Sequence, residues 1–375
     1  MFIDWYLPGY RAGGPIRSCA NMIEHLKDDL DFSVVTSDTD YHETRPYPGI
    51  RSNEWTVLPD KTRIFYFSKD KLTAQNIRKI LDEEKYDCVY LNGIFSKMFT
   101  LVPLLYFKKQ KQKRVIIASR GMFAKGALSV KPVKKKFFLL YARMTRLFSG
   151  VTFHASSEQE KKDIMQNTGA GANVYVAPNL PRKAKLDGIA EKIKAAGELK
   201  LICLSRISPE KNTRFAVEAV AELKGNVTLD IYGTVNNKTY WEECQALIRK
   251  LPQNIRVNYA GSLPGSEVLP VFRNYHFLLM PSLGENFGHS ILESLMTATP
   301  VIISDQTMWK GLEVKKAGFD IPLRDRKRFI STLQKCVGMG GDEYRQWSAG
   351  ALVMARSFIA NDSAARQNRE LFSNT

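Results

Sequence analysis

One rhythm constrains this 375-residue chain more than any other feature, and it occurs twice. Short apolar runs at residues 32–36, 88–91, 115–118 and 150–154 alternate with amphipathic stretches such as residues 21–27 and 73–84. A polar Lys/Ala/Gly interval runs from residue 182 to 198. The alternation then restarts, with apolar runs at 199–204, 228–232, 255–259, 277–280 and 301–303 and amphipathic stretches at 212–223 and 290–296. A run apolar on both faces is a strand buried on both faces, which helices packed on either side of a parallel sheet provide. The chain therefore reads as an α/β protein with two doubly wound parallel-sheet domains. Its length agrees, because single cores rarely grow beyond roughly 250–300 residues. The expected divisions are residues 1–178, a linker at 179–196, a second domain at 197–355 and a final helix at 356–375.

No stretch of about 18 apolar residues is present, and residues 1–17 lack a secretory layout, so a cytoplasmic location is expected. The five cysteines are scattered without a Cys-x-x-Cys pair, which predicts small buried apolar residues rather than a metal site. The formal charge of +17 is local: residues 101–150 carry thirteen Lys or Arg and no acid. Such a one-signed field attracts an anionic surface or substrate.

In doubly wound sheets, ligands gather beyond the carboxyl ends of the strands. Residues 204–212 (LSRISPEKN) follow one apolar run and bring Arg206 and Lys211 to a loop before a helix expected near Asn212. A guanidinium fork, an ammonium and a helix N-terminus together suit a diphosphate. Residues 281–293 (PSLGENFGHSILE) follow another run. There Gly284 and Gly288 allow a φ-positive backbone that offers amides to an anion, and Glu285 and Glu293 are placed to accept from sugar and ribose hydroxyls.

The Glu-x7-Glu pattern of Glu285 and Glu293, with Phe287-Gly288 inside it and Pro300-Val301-Ile302 after it, resembles the donor-site signature of the family-4 retaining glycosyltransferases. Arg206 and Lys211 match that family's diphosphate pair. Residues 6–15 (YLPGYRAGGP), with Gly13 and Gly14, resemble the glycine loop of members that build capsular polysaccharides and exopolysaccharides. The resemblance implies a GT-B fold: an acceptor domain and a donor domain facing each other across a cleft, with the last helix crossing back to the first domain. It implies transfer of a hexose-type sugar from a UDP- or GDP-linked donor to a saccharide hydroxyl, with retention and without a metal or other cofactor. Arg206, Lys211 and Glu285 are then the catalytic residues, and Gly13, Gly14, Gly233, Gly284, Asn286, Phe287, Gly288 and Glu293 bind the donor. No enzymic nucleophile is apparent, so the leaving phosphate is expected to take the acceptor's proton.

The chain departs from the family pattern in two places. Gly233 is followed by Thr234, and Ser119-Arg120-Gly121 stands where the family often has a histidine. Arg120 is a substitute donor to sugar or acceptor. His154 either reaches the cleft or is a satisfied core histidine, and the sequence leaves both readings open. Asp38-Thr39-Asp40 has the form of a metal motif but lies about 170 residues from the phosphate chemistry, and two cations already serve the diphosphate.

Residues 133–148 place Val133, Phe137, Leu140, Met144 and Leu147 on one helical face beside Lys134, Lys135, Lys136, Arg143 and Arg146, with Lys125 and Lys131 upstream. This basic amphipathic helix either packs on the first domain's sheet or lies on an anionic inner leaflet. The second reading suits an acceptor on a lipid diphosphate and a peripheral position on the cytoplasmic membrane. A nucleic-acid-binding protein and a catalytically idle assembly scaffold are the rival readings. The first leaves the Arg206/Lys211 and Glu285/Glu293 motifs unexplained, so no nucleic-acid partner is expected, and measurable donor turnover would exclude the second.

Overall fold

The computed structural model describes residues 1–108, 113–129, 132–186 and 192–373. Lys131, the side chain of Lys125 and residues 187–191 of the expected linker lie outside the described residues. The chain divides into two compact units, Met1–Lys183 with Asp362–Thr375, and Ala184–Asn361.

The first unit holds β1 (Ser33–Ser37), β2 (Trp55–Val57), β3 (Arg63–Phe67), β4 (Cys88–Asn92), β5 (Arg114–Ala118), β6 (Thr152–Ala155) and β7 (Asn173–Val176). β3 lies between β1 and an antiparallel β2, while β4, β5, β6 and β7 run parallel in that order. Phe2 joins the two groups by bridging Val35 and Leu91, with its N–H donating to Tyr90 O at 2.8 Å and its carbonyl accepting from Asn92 N at 2.9 Å. The backbone around Phe2 is thus a central strand, and the chain order reverses between it and β4. The loop that follows it carries Gly13 and Gly14 into the helix Gly14–Leu26. Burial explains the strands: Leu91, Ile116, Ile117 and Phe153 are enclosed, covered on opposite faces by helices. Thr73 starts the helix Ala74–Glu83 by accepting from Asn76 N at 3.2 Å, a side-chain cap on an otherwise unpaired donor.

The second unit holds β8 (Glu198–Leu204), β9 (Asn226–Tyr232), β10 (Ile255–Gly261), β11 (Phe277–Met280), β12 (Val301–Ser304) and β13 (Gly318–Ile321). All are parallel, in the order β10-β9-β8-β11-β12-β13. The chain builds outward from β8 to β10 and then crosses to β11, so its switch point lies between β8 and β11.

Two expected boundaries shift. Residue 355 falls inside the helix Gly341–Ile359, and the cut comes after Asn361 instead. The helix Ser363–Ser373 packs on the first unit, where Asn368 Nδ2 donates to Pro178 O at 2.8 Å and Tyr175 OH donates to Glu370 Oε2 at 2.7 Å. Residues 192–196, assigned to the linker, belong to the second unit. Lys192 Nζ donates to Tyr275 O at 3.1 Å and Lys194 Nζ to Met339 O at 2.9 Å, which fixes both stems against its core.

The apolar stripe of residues 133–148 is turned outward over most of its length. In the helix Pro132–Met144, Val133 (64%), Phe137 (69%), Leu140 (54%) and Met144 (76%) are exposed, whereas Leu147 is buried. Phe138, Leu139 and Ala142 form the face that packs on the core. Lys134, Lys136, Arg143 and Arg146 are exposed, but Lys135 folds back, its Nζ donating to Ala127 O at 2.6 Å and lying 5.2 Å from the Phe95 ring centroid. Among the described residues no helix is long and apolar enough to cross a membrane.

Candidate active site

The loops after β8 and β11 meet at the second unit's switch point. Leu283 N donates to Glu210 O at 2.9 Å, Asn212 Nδ2 to Pro281 O at 3.1 Å, and Ser290 Oγ to Leu204 O at 2.9 Å. Across this seam Lys211 Nζ lies 2.6 Å from Glu285 Oε1, with the two side chains only 16% and 11% exposed. Arg206 is more open and reaches Glu210 Oε1 at 3.7 Å. The helix expected near Asn212 begins at Thr213, after the 3-10 turn Pro209–Lys211, and Asn212 is left-handed with φ 57°.

Gly288 (φ 76°) precedes the helix His289–Met296, whose N-terminus has no side-chain cap. A Cβ on Gly288 would stand 2.7 Å from Ile291 Cδ1, the movable tip of a side chain, so it is the positive φ that favours glycine there. Phe287 is buried, and its carbonyl accepts from Trp309 Nε1 at 2.7 Å. Asn286 is half-buried beside it. Glu293, in the second turn of the helix, is nearly enclosed. Gly284 corrects the expectation of a φ-positive backbone at both glycines, since it does not take that conformation and has open space around it. The amide series is also interrupted, because Glu285 N is spent on Gln306 O at 2.9 Å. Gly233 follows β9 with φ 147°, and a Cβ there would lie 1.8 Å from Ser205 O. Close backbone packing therefore fixes this glycine.

Sequence reasoning missed three buried polar atoms on these loops. Ser208 Oγ, Asn236 Oδ1 and Ser282 Oγ have no hydrogen-bond partner among the described residues. Buried polar atoms are rarely left unpaired, so each is a candidate contact for a ligand or a bound water.

In the first unit, Gly13 takes φ 76° and Gly14 opens the helix, which has no side-chain cap at its N-terminus. Asp40 holds the preceding loop, with Oδ2 accepting from Tyr10 N at 2.9 Å and Oδ1 from Tyr41 N at 2.7 Å. Asp38 accepts from Ser52 Oγ at 2.7 Å. Both acids thus have structural partners, and among the described residues no His, Cys, Asp or Glu cluster forms a metal site.

His154 resolves as the core histidine. Its Nδ1 lies 2.7 Å from Tyr90 OH and its Nε2 2.8 Å from Ala177 O. Burial, reinforced by the Arg120 charge, lowers its pKa to about 4, so the neutral ring donates from Nε2 and accepts at Nδ1. With both nitrogens occupied, it does not present itself to an acceptor. Arg120 is left-handed at φ 52° and turned inward onto Asn92, Asn179, Tyr90 and Cys19. All five cysteines are free, and only Cys88 is less than buried.

Residues 186–319 match the family model described as Glycosyl transferases group 1. That stretch lies within the second unit. The switch-point loops with Arg206, Lys211 and Glu285 fall inside it. The chain is 33% identical over 98 residues to the 2-deoxystreptamine glucosyltransferase of Streptomyces kanamyceticus, a match spanning 26% of this chain and 25% of that enzyme. It is 23% identical over 328 residues to the alpha-monoglucosyldiacylglycerol synthase of Streptococcus pneumoniae, spanning 80% of this chain and 70% of that enzyme. The crystal structure of Anabaena HepE in complex with UDP and glucose superposes with a TM-score of 0.72 at 14% identity, covering 100% of both chains. At that identity the likeness concerns the fold, which is GT-B.

Proposed function

We propose that the chain transfers a hexose-type sugar from a UDP- or GDP-linked donor to a hydroxyl of a saccharide acceptor, with retention and without a metal, and that the acceptor is lipid-linked. The observation that carries this reading is the meeting of Arg206, Lys211 and Glu285 on two cross-bonded loops at the switch point of the group 1 domain. Arg206 and Lys211 would neutralise the diphosphate as the glycosidic bond breaks, and the uncapped helix behind Gly288 adds partial positive charge. Glu285 accepts from a sugar hydroxyl and Glu293 from the ribose. The departing phosphate oxygen takes the proton of the acceptor hydroxyl, since no enzymic base is assigned. Gly13 and Gly14 let the sugar diphosphate approach the start of the first unit's helix closely.

The outward-facing Val133, Phe137, Leu140 and Met144, flanked by Lys134, Lys136, Arg143 and Arg146, support an anionic membrane surface as a partner. Each basic group near such a surface contributes about 1 kcal/mol. The pneumococcal relative is named for a glucosyldiacylglycerol product, which agrees with a lipid-borne acceptor. A thermal-shift screen of nucleotide sugars tests the donor site: a ligand at about 100 times its Kd stabilises by about 2.7 kcal/mol. With the donor found, NMR of the product formed in EDTA reads anomeric configuration and metal dependence. An inverted product, or activity restored only by Mg²⁺ or Mn²⁺, overturns the mechanism.

A further inference from the structure

The two loops that flank the first unit's switch point are joined by a carboxylate. Asp4 ends the central strand around Phe2, level with the end of β1, since its carbonyl accepts from Ser37 N at 3.2 Å. Ser96 lies in the loop after β4, and its Oγ donates to Asp4 Oδ1 at 2.7 Å. The chain order reverses between these two strands, so Asp4 stands where doubly wound sheets take their ligands. The second unit has the same arrangement, with Glu285 crossing its switch point, but there the carboxylate meets Lys211. Asp4 meets only a hydroxyl.

That difference leaves Asp4 with capacity to spare. Among the described residues its carboxylate has no partner besides Ser96 Oγ and its own backbone N–H, and no cation acts on it. An ionised carboxylate offers about four lone-pair sites, and Asp4 is only half-buried, so a ligand can reach those that remain. Burial raises its pKa above the ordinary carboxylate value, and the Ser96 hydrogen bond does not fully offset this. Hydroxyl donors would complete its hydrogen bonding, whereas a phosphate or carboxylate would meet an uncompensated like charge.

An aromatic pair stands on the same loop. Trp5 follows Asp4 in the chain and Tyr41 belongs to the loop after β1; their ring centroids are 4.8 Å apart, with the planes at 77°. Both residues are half-buried. Asp40 locks the two loops together by accepting from Tyr10 N at 2.9 Å and Tyr41 N at 2.7 Å, and Arg11 and Glu43 add an ion pair across the same seam. An aromatic face offers apolar surface and negative π density, which suits the C–H face of a sugar ring, while the hydroxyls around that ring need acceptors.

We propose that this loop holds the acceptor: a neutral saccharide lays a sugar C–H face on the Trp5–Tyr41 pair and donates hydroxyl hydrogens to Asp4, an inference that rests on the glycosyl-transfer reading. Asp4 thus takes the place expected of Arg120 and His154, whose hydrogen bonds are spent inward. Ser96 is a positioning residue that fixes the carboxylate.

The test uses the full chain saturated with UDP or GDP and titrates the methyl glycosides of glucose, galactose and mannose by ligand-observed NMR, with methyl glucuronide as the charged comparison. At least one neutral glycoside is expected to bind, and the glucuronide to bind about tenfold or more weakly than the best of them. Asp4→Asn is expected to weaken the neutral glycoside about tenfold through loss of a charge-assisted acceptor. Trp5→Leu should weaken it by a similar factor, and it remains informative if Asp4→Asn does not fold. Wild-type affinity should fall as acid protonates Asp4, and this pH dependence should vanish in Asp4→Asn, an effect that a merely structural carboxylate would not produce. No binding by any neutral glycoside, a glucuronide that binds as tightly as the best of them, or affinity unchanged in either variant overturns the proposal. Nucleotide binding in the same samples separates the two claims: if it persists while the glycosides fail these tests, this inference alone fails; if it is absent, the glycosyl-transfer reading fails.

Discussion

Lys211 Nζ stands 2.6 Å from Glu285 Oε1 although the two residues are 74 positions apart in the chain. The pair closes the seam between the loops after β8 and β11. It also joins two roles that the sequence motifs assign separately, the cation for the diphosphate and the carboxylate for the sugar. Both side chains are largely withdrawn from water, so each depends on the other until a ligand arrives.

Lys211→Ala is therefore expected to cost stability as well as catalysis, on the order of 1–3 kcal/mol by urea unfolding, because Glu285 loses its partner. Adding Glu285→Gln should restore most of that stability but none of the turnover. Additive stability losses in the double variant would show that the ion pair is not coupled.

Two glycines are expected to behave oppositely. Gly233→Ala forces a Cβ to 1.8 Å from Ser205 O at φ 147° and should destabilise by about 3 kcal/mol or more. Gly284→Ala meets nothing within 4 Å and should change stability by about 0.5 kcal/mol or less. Melting temperatures of both variants decide this.

Much of the fold was legible because its strands are buried on both faces and so read as uninterrupted apolar runs, as β11 and β12 do. β13 was not, because its sequence Gly-Phe-Asp-Ile has no apolar run; its Gly318 serves close contact with Val301 instead. The site loops were visible as motifs following strands. Their pairing was not, since which cation meets which carboxylate depends on the order β9-β8-β11, a long-range property. Nothing local marked Asn92 and Asn179 as partners of Arg120, and only the distances from His154 to Tyr90 and Ala177 chose between its two readings. In the basic helix, the apolar spacing identified a stripe. The side facing the core was instead set by Phe138, Leu139 and Ala142.

Vesicle co-sedimentation should rise with anionic lipid content and fall with salt. Phe137→Ser/Met144→Ser, at sites exposed in the structure, should weaken binding without lowering the melting temperature, and Lys134→Glu/Lys136→Glu should remove its dependence on lipid charge. Binding indifferent to both pairs would assign the exposed stripe to another partner.

Acid should destabilise both units through buried histidines. Burial holds His154 and His276 down at about 4, against an ordinary value of 6.5. A depressed histidine stabilises the fold fully above its unfolded pKa, and that contribution is lost as the pH falls from about 6.5 towards 4, because the unfolded chain takes up the proton first. The loss is on the order of 3 kcal/mol per histidine. Unfolding free energies across this window should flatten in His154→Gln; an unchanged slope would show that His154 does not carry its share.

The most direct measurement of the central claim is single-turnover donor cleavage by wild type, Arg206→Ala and Lys211→Ala, with the nucleotide sugar identified by the binding screen. The account predicts a folded protein in each case and a loss of about 2–4 kcal/mol of transition-state stabilisation in each variant, roughly thirtyfold to a thousandfold in rate. Turnover within about threefold of wild type in either variant, roughly 0.65 kcal/mol, would contradict the placement of the leaving diphosphate between the loops after β8 and β11.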